Sequence, residues 1–95
     1  MLIDDVQDRP KALAAIQAKL LVIFEDILAQ NSISTTTSFV DLGGDSLSAM
    51  LCISRVRHNF EIELSMEDFF SDDSSVKGLS VIIDSILSSR QQAQT

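Results

Sequence analysis

A small all-α bundle, with three main helices, one short helix and a long first loop, is the fold this sequence predicts. Three observations carry that reading. Three stretches place apolar residues at three- and four-residue steps, the period that lines one face of a helix. The breaks between them are rich in Ser, Thr, Asn, Asp and Gly, which punctuate helices. The one alternating stretch, Phe60, Ile62 and Leu64 around Glu61 and Glu63, spans five residues and has no second strand to pair with, so it reads as a loop.

The elements follow in order. Residues 1–9 are polar, acidic and without periodicity, and are expected to form a flexible lead-in. Pro10 suits the first turn of a helix, where its missing N–H costs nothing. From there Leu13, Ile16, Leu20, Ile23, Phe24, Ile27 and Leu28 predict an amphipathic helix over residues 10–30. Residues 31–45 form a loop that keeps Ile33, Phe39, Val40 and Leu42 as apolar anchors, so it is expected to lie packed on the core. Fifteen residues is long for a connection, and long ordered loops are often functional. Asp45 or Ser46 then caps a second helix over residues 47–58. Ser65, followed by Glu67 and Asp68, starts a short helix through Phe69 and Phe70. Ser74 or Ser75 caps a last helix whose face is Val76, Leu79, Ile82, Ile83, Ile86 and Leu87. The five phenylalanines read as core, and residues 91–95 as a disordered tail beyond a single domain over 10–90.

Composition removes several function classes. A chain of 95 residues supports one domain. The net charge of −7 argues against a nucleic-acid partner, since phosphate binding needs clustered Lys and Arg. The acidity suits docking on basic surfaces, or simply a solvated surface. The longest apolar run, Leu20-Leu21-Val22-Ile23-Phe24, stops at Glu25 and Asp26, far short of a bilayer span. The first residues lack the basic region of a signal peptide, so a soluble, cytoplasmic monomer is expected, with no membrane partner. A single cysteine, Cys52, excludes an internal disulfide and reads as a small buried apolar residue. A single histidine, His58, removes most metal and triad schemes. Glu67, Asp68, Asp72 and Asp73 lack EF-hand spacing and read as a solvated acidic loop, so no metal site is expected.

Chemistry concentrates in Phe39-Val40-Asp41-Leu42-Gly43-Gly44-Asp45-Ser46-Leu47-Ser48-Ala49-Met50. Two glycines give backbone freedom and open space just before a helix. A serine hydroxyl then sits at the helix N-terminus, where free N–H groups and the dipole favour an anion such as a phosphodiester. No base stands at a spacing that would activate Ser46 as a nucleophile, so an attachment point suits it better than a catalytic role. An ordinary helix cap is the alternative for Ser46.

With these residues the chain resembles the carrier-protein family, the acyl carrier, peptidyl carrier or thiolation domains. Their attachment motif is a leucine-glycine pair, a variable residue, Asp or His, then Ser and Leu; here it stands as Leu42-Gly43-Gly44-Asp45-Ser46-Leu47. The likeness extends through Ile23-Phe24, Ile27-Leu28, Ala49-Met50, Ser54-Arg55-Val56, Phe60, Ile62, Leu64, Phe69-Phe70 and Val76, about residues 13–88. The resemblance implies a four-helix carrier bundle. It implies that a phosphopantetheinyl transferase attaches 4′-phosphopantetheine from coenzyme A to Ser46, with Gly43, Gly44, Asp45 and Leu47 as the surrounding motif. The arm would hold acyl, aryl or aminoacyl groups as thioesters. An adenylation or acyltransferase enzyme would load it, and condensation, ketosynthase or thioesterase-type domains would unload it. The carrier itself would be no enzyme. Residues 46–60 contain no acid and carry Arg55, Arg57 and His58, unlike fatty-acid carriers, which favours nonribosomal peptide biosynthesis. Asp45 replaces the His frequent in peptidyl carriers and keeps a polyketide-type acyl carrier as the alternative. A helical interaction domain without a prosthetic group is a third reading.

The second helix shows two apolar faces. Ala49, Cys52 or Ile53, Val56 and Phe60 suit the core. Leu47, Met50, Leu51 and Ser54 lie on another side that begins beside Ser46, and are expected to form an exposed patch read by partners. Partial cover of Leu47 and Leu51 by the first loop and the short helix is the alternative.

Overall fold

The computed structural model describes residues 2–93, with side chains described for residues 11–90. It is all-helical: α1 (Leu2–Leu28), α2 (Ser46–Phe60), a 3-10 turn (Met66–Phe69) and α3 (Val76–Ala93), with no strand among the described residues. α1 packs on both α2 and α3, and α2 packs on the 3-10 turn. At about 1.5 Å per residue α1 is ~40 Å long, which accounts for the 43 Å long axis of a molecule otherwise 24 × 22 Å.

Several element ends differ from expectation: α1 stops at Leu28, α2 runs over Ser46–Phe60 and so takes in Phe60 of the expected loop, and the largest shifts are at the start of α1 and the end of α3. α1 begins at Leu2, so residues 2–9 are helical where a lead-in was expected, and Pro10 lies inside the helix. Residues 2–9 hold neither glycine nor proline, and extending a nucleated helix costs little per residue. Pro10 removes one backbone donor without ending the helix. At the other end α3 continues to Ala93, through Gln91 and Gln92, which are good helix formers. Residues 94 and 95, the rest of the expected tail, lie outside the described residues.

The core is built from the predicted faces. α1 supplies Ile16, Leu20, Ile23 and Phe24; α2 supplies Ala49, Cys52 and Val56; α3 supplies Val76, Leu79 and Ile83. Burying a side chain of Leu or Phe size is worth about 1.5–3 kcal/mol. Ile62 and Leu64 are buried from a loop, with Glu61 and Glu63 exposed between them, so the alternation marks a packed loop. Phe39 stands at the centre of an aromatic cluster. Its ring meets Phe24 at 5.3 Å and Phe69 at 5.1 Å, both edge-on, the arrangement that aromatic quadrupoles favour.

The first loop is packed down as expected through Ile33, Phe39 and Leu42, but Val40 is exposed. Phe70 is also exposed at 44%, against the expectation of five core phenylalanines, and Phe60 is only half-buried. Phe39 and Phe69 fill the available interior, and the residue next to each in sequence points outward. Backbone bonds finish the docking. Lys77 N–H donates to the Thr35 carbonyl at 2.9 Å, and Phe39 N–H donates to both the carbonyl and the hydroxyl of Ser74 at 3.2 Å. Ser75 is the residue that caps α3, its hydroxyl accepting from Gly78 N–H at 3.0 Å. The buried Ser74 ties the loop to α3 instead.

Candidate functional site

Ser46 is the first residue of α2, and Asp45 is its N-cap. The cap is a reciprocal box. The Asp45 carboxylate accepts from Ser48 N–H at 2.9 Å, and Ser48 Oγ accepts from Asp45 N–H at 2.8 Å. Together these satisfy two orphan donors at the helix start. The Ser48 bonds, with the Leu47 backbone N–H adding to them, hold the Asp45 carboxyl below its usual value of 3.8. Asp45 thus takes the cap that sequence alone left open between it and Ser46. Its carboxylate also occupies amides at the helix end that an anion on Ser46 would otherwise have to itself.

That division of labour leaves Ser46 free. Its side chain is exposed, and its hydroxyl makes no hydrogen bond among the described residues. The two glycines before it serve different ends. Gly43 has φ +95°, a left-handed conformation that side chains resist, and a Cβ there would meet only Gln30 Nε2 at 3.9 Å. Gly44 does not provide open space. A Cβ there would run into the ring of Phe39, so Gly44 lets the loop close onto the aromatic core directly before α2. Gln30, just beyond α1, donates its side-chain amide to the Leu42 carbonyl and fixes the same loop from the other side. Ser46 therefore projects from a backbone held by α1, the core and its own cap. An exposed, unbonded hydroxyl with open space at Gly43 fits a covalently attached phosphodiester arm.

The second face of α2 is bare. Leu47 is 67%, Met50 57% and Leu51 50% exposed, and Ser54 is exposed too, so neither the loop nor the 3-10 turn covers them. His58 lies twelve residues beyond Ser46, about 18 Å along the axis, too far to serve as its base. Cys52 is buried in the core as expected, and burial pushes its thiol up to about 12. Among the described residues no group of acids, His and Cys could hold a metal ion, and no helix is long and apolar enough to cross a membrane.

Sequence reasoning missed the role of Ser48 and of Gln30. The Asp-x-x-Ser spacing was a signal for the first, since a capping box has that separation. Nothing in the spacing of Gln30 and Leu42 announces the second.

Three helices and a 3-10 turn that present a free serine at a capped helix start are the architecture of carrier domains, and the comparisons agree. The family model for the phosphopantetheine attachment site matches residues 18–81. The chain belongs to that family, whose members carry a covalent 4′-phosphopantetheine. It is 38% identical over 68 residues to a plipastatin synthase of Bacillus subtilis (strain 168), covering 72% of this chain and 2% of that protein. It is 40% identical over 55 residues to gramicidin S synthase 2 of Brevibacillus brevis, covering 58% of this chain and 1% of that one. The chain thus spans a very small part of these relatives. Among solved structures, it matches a chain of the complex between the phosphopantetheine transferase Sfp, coenzyme A and a peptidyl carrier protein. The TM-score is 0.70 at 26% identity, over 74% of this chain and 90% of that one. BlmI, a type-II acyl-carrier protein from Streptomyces verticillus involved in bleomycin biosynthesis, shares the fold with a TM-score of 0.78 at 22% identity, over 85% of this chain and 96% of that one.

Proposed function

We propose that Ser46 bears the 4′-phosphopantetheine arm and that the domain carries aminoacyl or related acyl intermediates in nonribosomal peptide biosynthesis. The observation that carries this reading is the free Ser46 hydroxyl, exposed at the first residue of α2 inside the region the family model matches. When bound, the arm supplies a terminal thiol that holds cargo as a thioester. Ser46 anchors it, the Asp45–Ser48 box keeps the anchor on a rigid helix end, and no nearby side chain of the domain acts as base or nucleophile. The chemistry belongs to partners: a phosphopantetheinyl transferase that installs the arm, an adenylation-type enzyme that loads it, and condensation- or thioesterase-type domains that take the cargo. Leu47, Met50, Leu51 and Ser54 form the surface those partners share. The synthase relatives, together with an α2 free of acids, favour the peptide system over the polyketide one.

The test is intact mass after incubation with coenzyme A, Mg²⁺ and a broad-specificity phosphopantetheinyl transferase. The native chain should gain one phosphopantetheine and Ser46→Ala none. A gain that survives in Ser46→Ala would move the site elsewhere, and no gain on the folded chain with two different transferases would end the carrier reading. Leu51→Glu should keep the native circular-dichroism spectrum, because half of Leu51 is already in water, and slow modification or loading. Unfolding of Leu51→Glu would show a structural role in place of a docking one.

A further inference from the structure

The chain has net charge −7, yet α2 holds no acid and places Arg55, Arg57 and His58 in its second half. Arg57 is drawn off to Glu63 at 3.2 Å. Arg55 and His58 border a surface groove of about 370 Å³ together with Ile27 of α1 and Leu51 and Ser54 of α2. Leu51 also belongs to the bare face that starts at Leu47, so the groove continues the docking face away from Ser46. No residue lining it is acidic. Asp26 of α1 accepts from one Arg55 nitrogen at 2.7 Å. A guanidinium has five donors, so that bond orients Arg55 and leaves others to give. His58 has no hydrogen bond or ion pair among the described residues.

Resting on the carrier reading above, we infer that this groove docks an acidic, apolar segment of a partner protein. A carboxylate of that segment meets Arg55 and His58, and an apolar side chain beside it meets Ile27 and Leu51. Charge complementarity decides for this occupant. The negative field of the whole chain is screened beyond about 8–10 Å at ordinary ionic strength, so at contact the groove's own residues govern. A basic segment would have to sit beside the Arg55 guanidinium with only the engaged Asp26 to meet it. An anionic bilayer would face the other acids of the chain as soon as it reached past the groove.

The holo chain, labelled with ¹⁵N, is titrated with two synthetic helical peptides that share length and apolar residues, one rich in Glu and one in Lys. Phosphopantetheine gain on Ser46 is measured on the same preparation. The Glu peptide should shift the amide signals of Leu51, Ser54, Arg55 and His58. It should bind at least about threefold more tightly than the Lys peptide, as expected for exposed charge pairs. Raising salt from about 50 to about 300 mM should erase that advantage. Arg55→Gln and His58→Gln should each reduce it; His58 is exposed and its replacement breaks no hydrogen bond or ion pair among the described residues, and the circular-dichroism spectrum of each variant confirms that it is folded. Equal or tighter binding of the Lys peptide overturns the inference. So do shifts confined to other surfaces, the same shifts on concentrating the chain alone, which would put a second copy in the groove, or the same shifts from anionic vesicles. Absence of mass gain on Ser46 instead removes the carrier reading. Normal mass gain without the peptide preference removes only the groove.

Discussion

Gly44 lies against the ring of Phe39, where the sequence motif alone suggests backbone freedom and open space. The contact gives it another duty, because a methyl group there collides with a buried aromatic ring directly before Ser46. Gly44→Ala should destabilise the domain by about 1–3 kcal/mol, the cost of overpacking a filled interior. Urea denaturation reads it, and a midpoint equal to wild type would mean the loop moves aside. Cys52 yields a second prediction. With its thiol buried and pushed up to about 12, it stays protonated near neutral pH, and the thiolate is the reactive form. Native apo protein should therefore consume no thiol reagent at pH 7–8, and holo protein one equivalent, from the arm. An equivalent consumed by the folded apo form would show that the core opens. Asp45 yields a third. Its folded carboxyl titrates below the usual 3.8 because Ser48 and the Leu47 amide bond the ionised form. The cap contributes stability above the unfolded value and loses it as pH falls through the folded one. Asn caps equally well without titrating, so the melting difference between wild type and Asp45→Asn should change in favour of Asn as pH falls from about 6 to about 3. A constant difference would show that the carboxylate's charge contributes nothing. The serine itself was legible because motif and helix start coincide. The division of duties among Asp45, Ser46 and Ser48 was not, since all three residue types favour helix starts.

Helix interiors announce themselves through the period of their apolar residues, and the three main helices lie where Leu20 and Phe24, Cys52 and Val56, and Leu79 and Ile83 place them. Helix ends depend on smaller energies, which is why α1 runs through Pro10 to Leu2 and α3 runs on to Ala93. Both inner ends close without glycine. After α1, Gln30 N–H donates to the Glu25 carbonyl at 3.0 Å while Ala29 adopts φ 55°, the bond of a Schellman ending. After α2, Glu61 adopts φ 57°, its N–H bonded to the Arg57 carbonyl and its own carbonyl taken by Arg90. A side chain in this region costs roughly 1–2 kcal/mol that glycine does not incur, offset in part by glycine's greater freedom when unfolded. Ala29→Gly and Glu61→Gly should therefore each stabilise the domain by up to about 1 kcal/mol, seen as a higher urea midpoint at unchanged slope. A fall for both would mean that the unfolded-state entropy of glycine dominates here. The Arg55–Asp26 pair that joins α1 to α2 is exposed on both sides. Such pairs are worth at most about 1 kcal/mol, so its greater value lies in orienting Arg55 at the groove.

The whole domain is held by few large side chains, and one of them links stability to the attachment site. A 95-residue chain has roughly 5–14 kcal/mol of stability at ordinary values per residue. Phe39 touches Phe24 of α1 and Phe69 of the 3-10 turn, lies under Gly44, and is bonded through its N–H to Ser74 beside α3. A sequence reading recognises Phe39 as a loop anchor but cannot tell it from Val40 next door, because which neighbour turns inward is settled only once α1 and the 3-10 turn are in place. Truncating a buried Phe to Ala costs about 3–5 kcal/mol, a large share of the total. Phe39→Ala should thus lower the unfolding free energy by that amount while Val40→Ala changes it little. It should also slow phosphopantetheine transfer to Ser46 under conditions where nearly all molecules remain folded, because the cavity lets the Gly43–Gly44 segment relax inward and carries the start of α2 with it. A folded Phe39→Ala protein modified at the wild-type rate would show that Gln30 and the Asp45–Ser48 box hold Ser46 in place without the core beneath them.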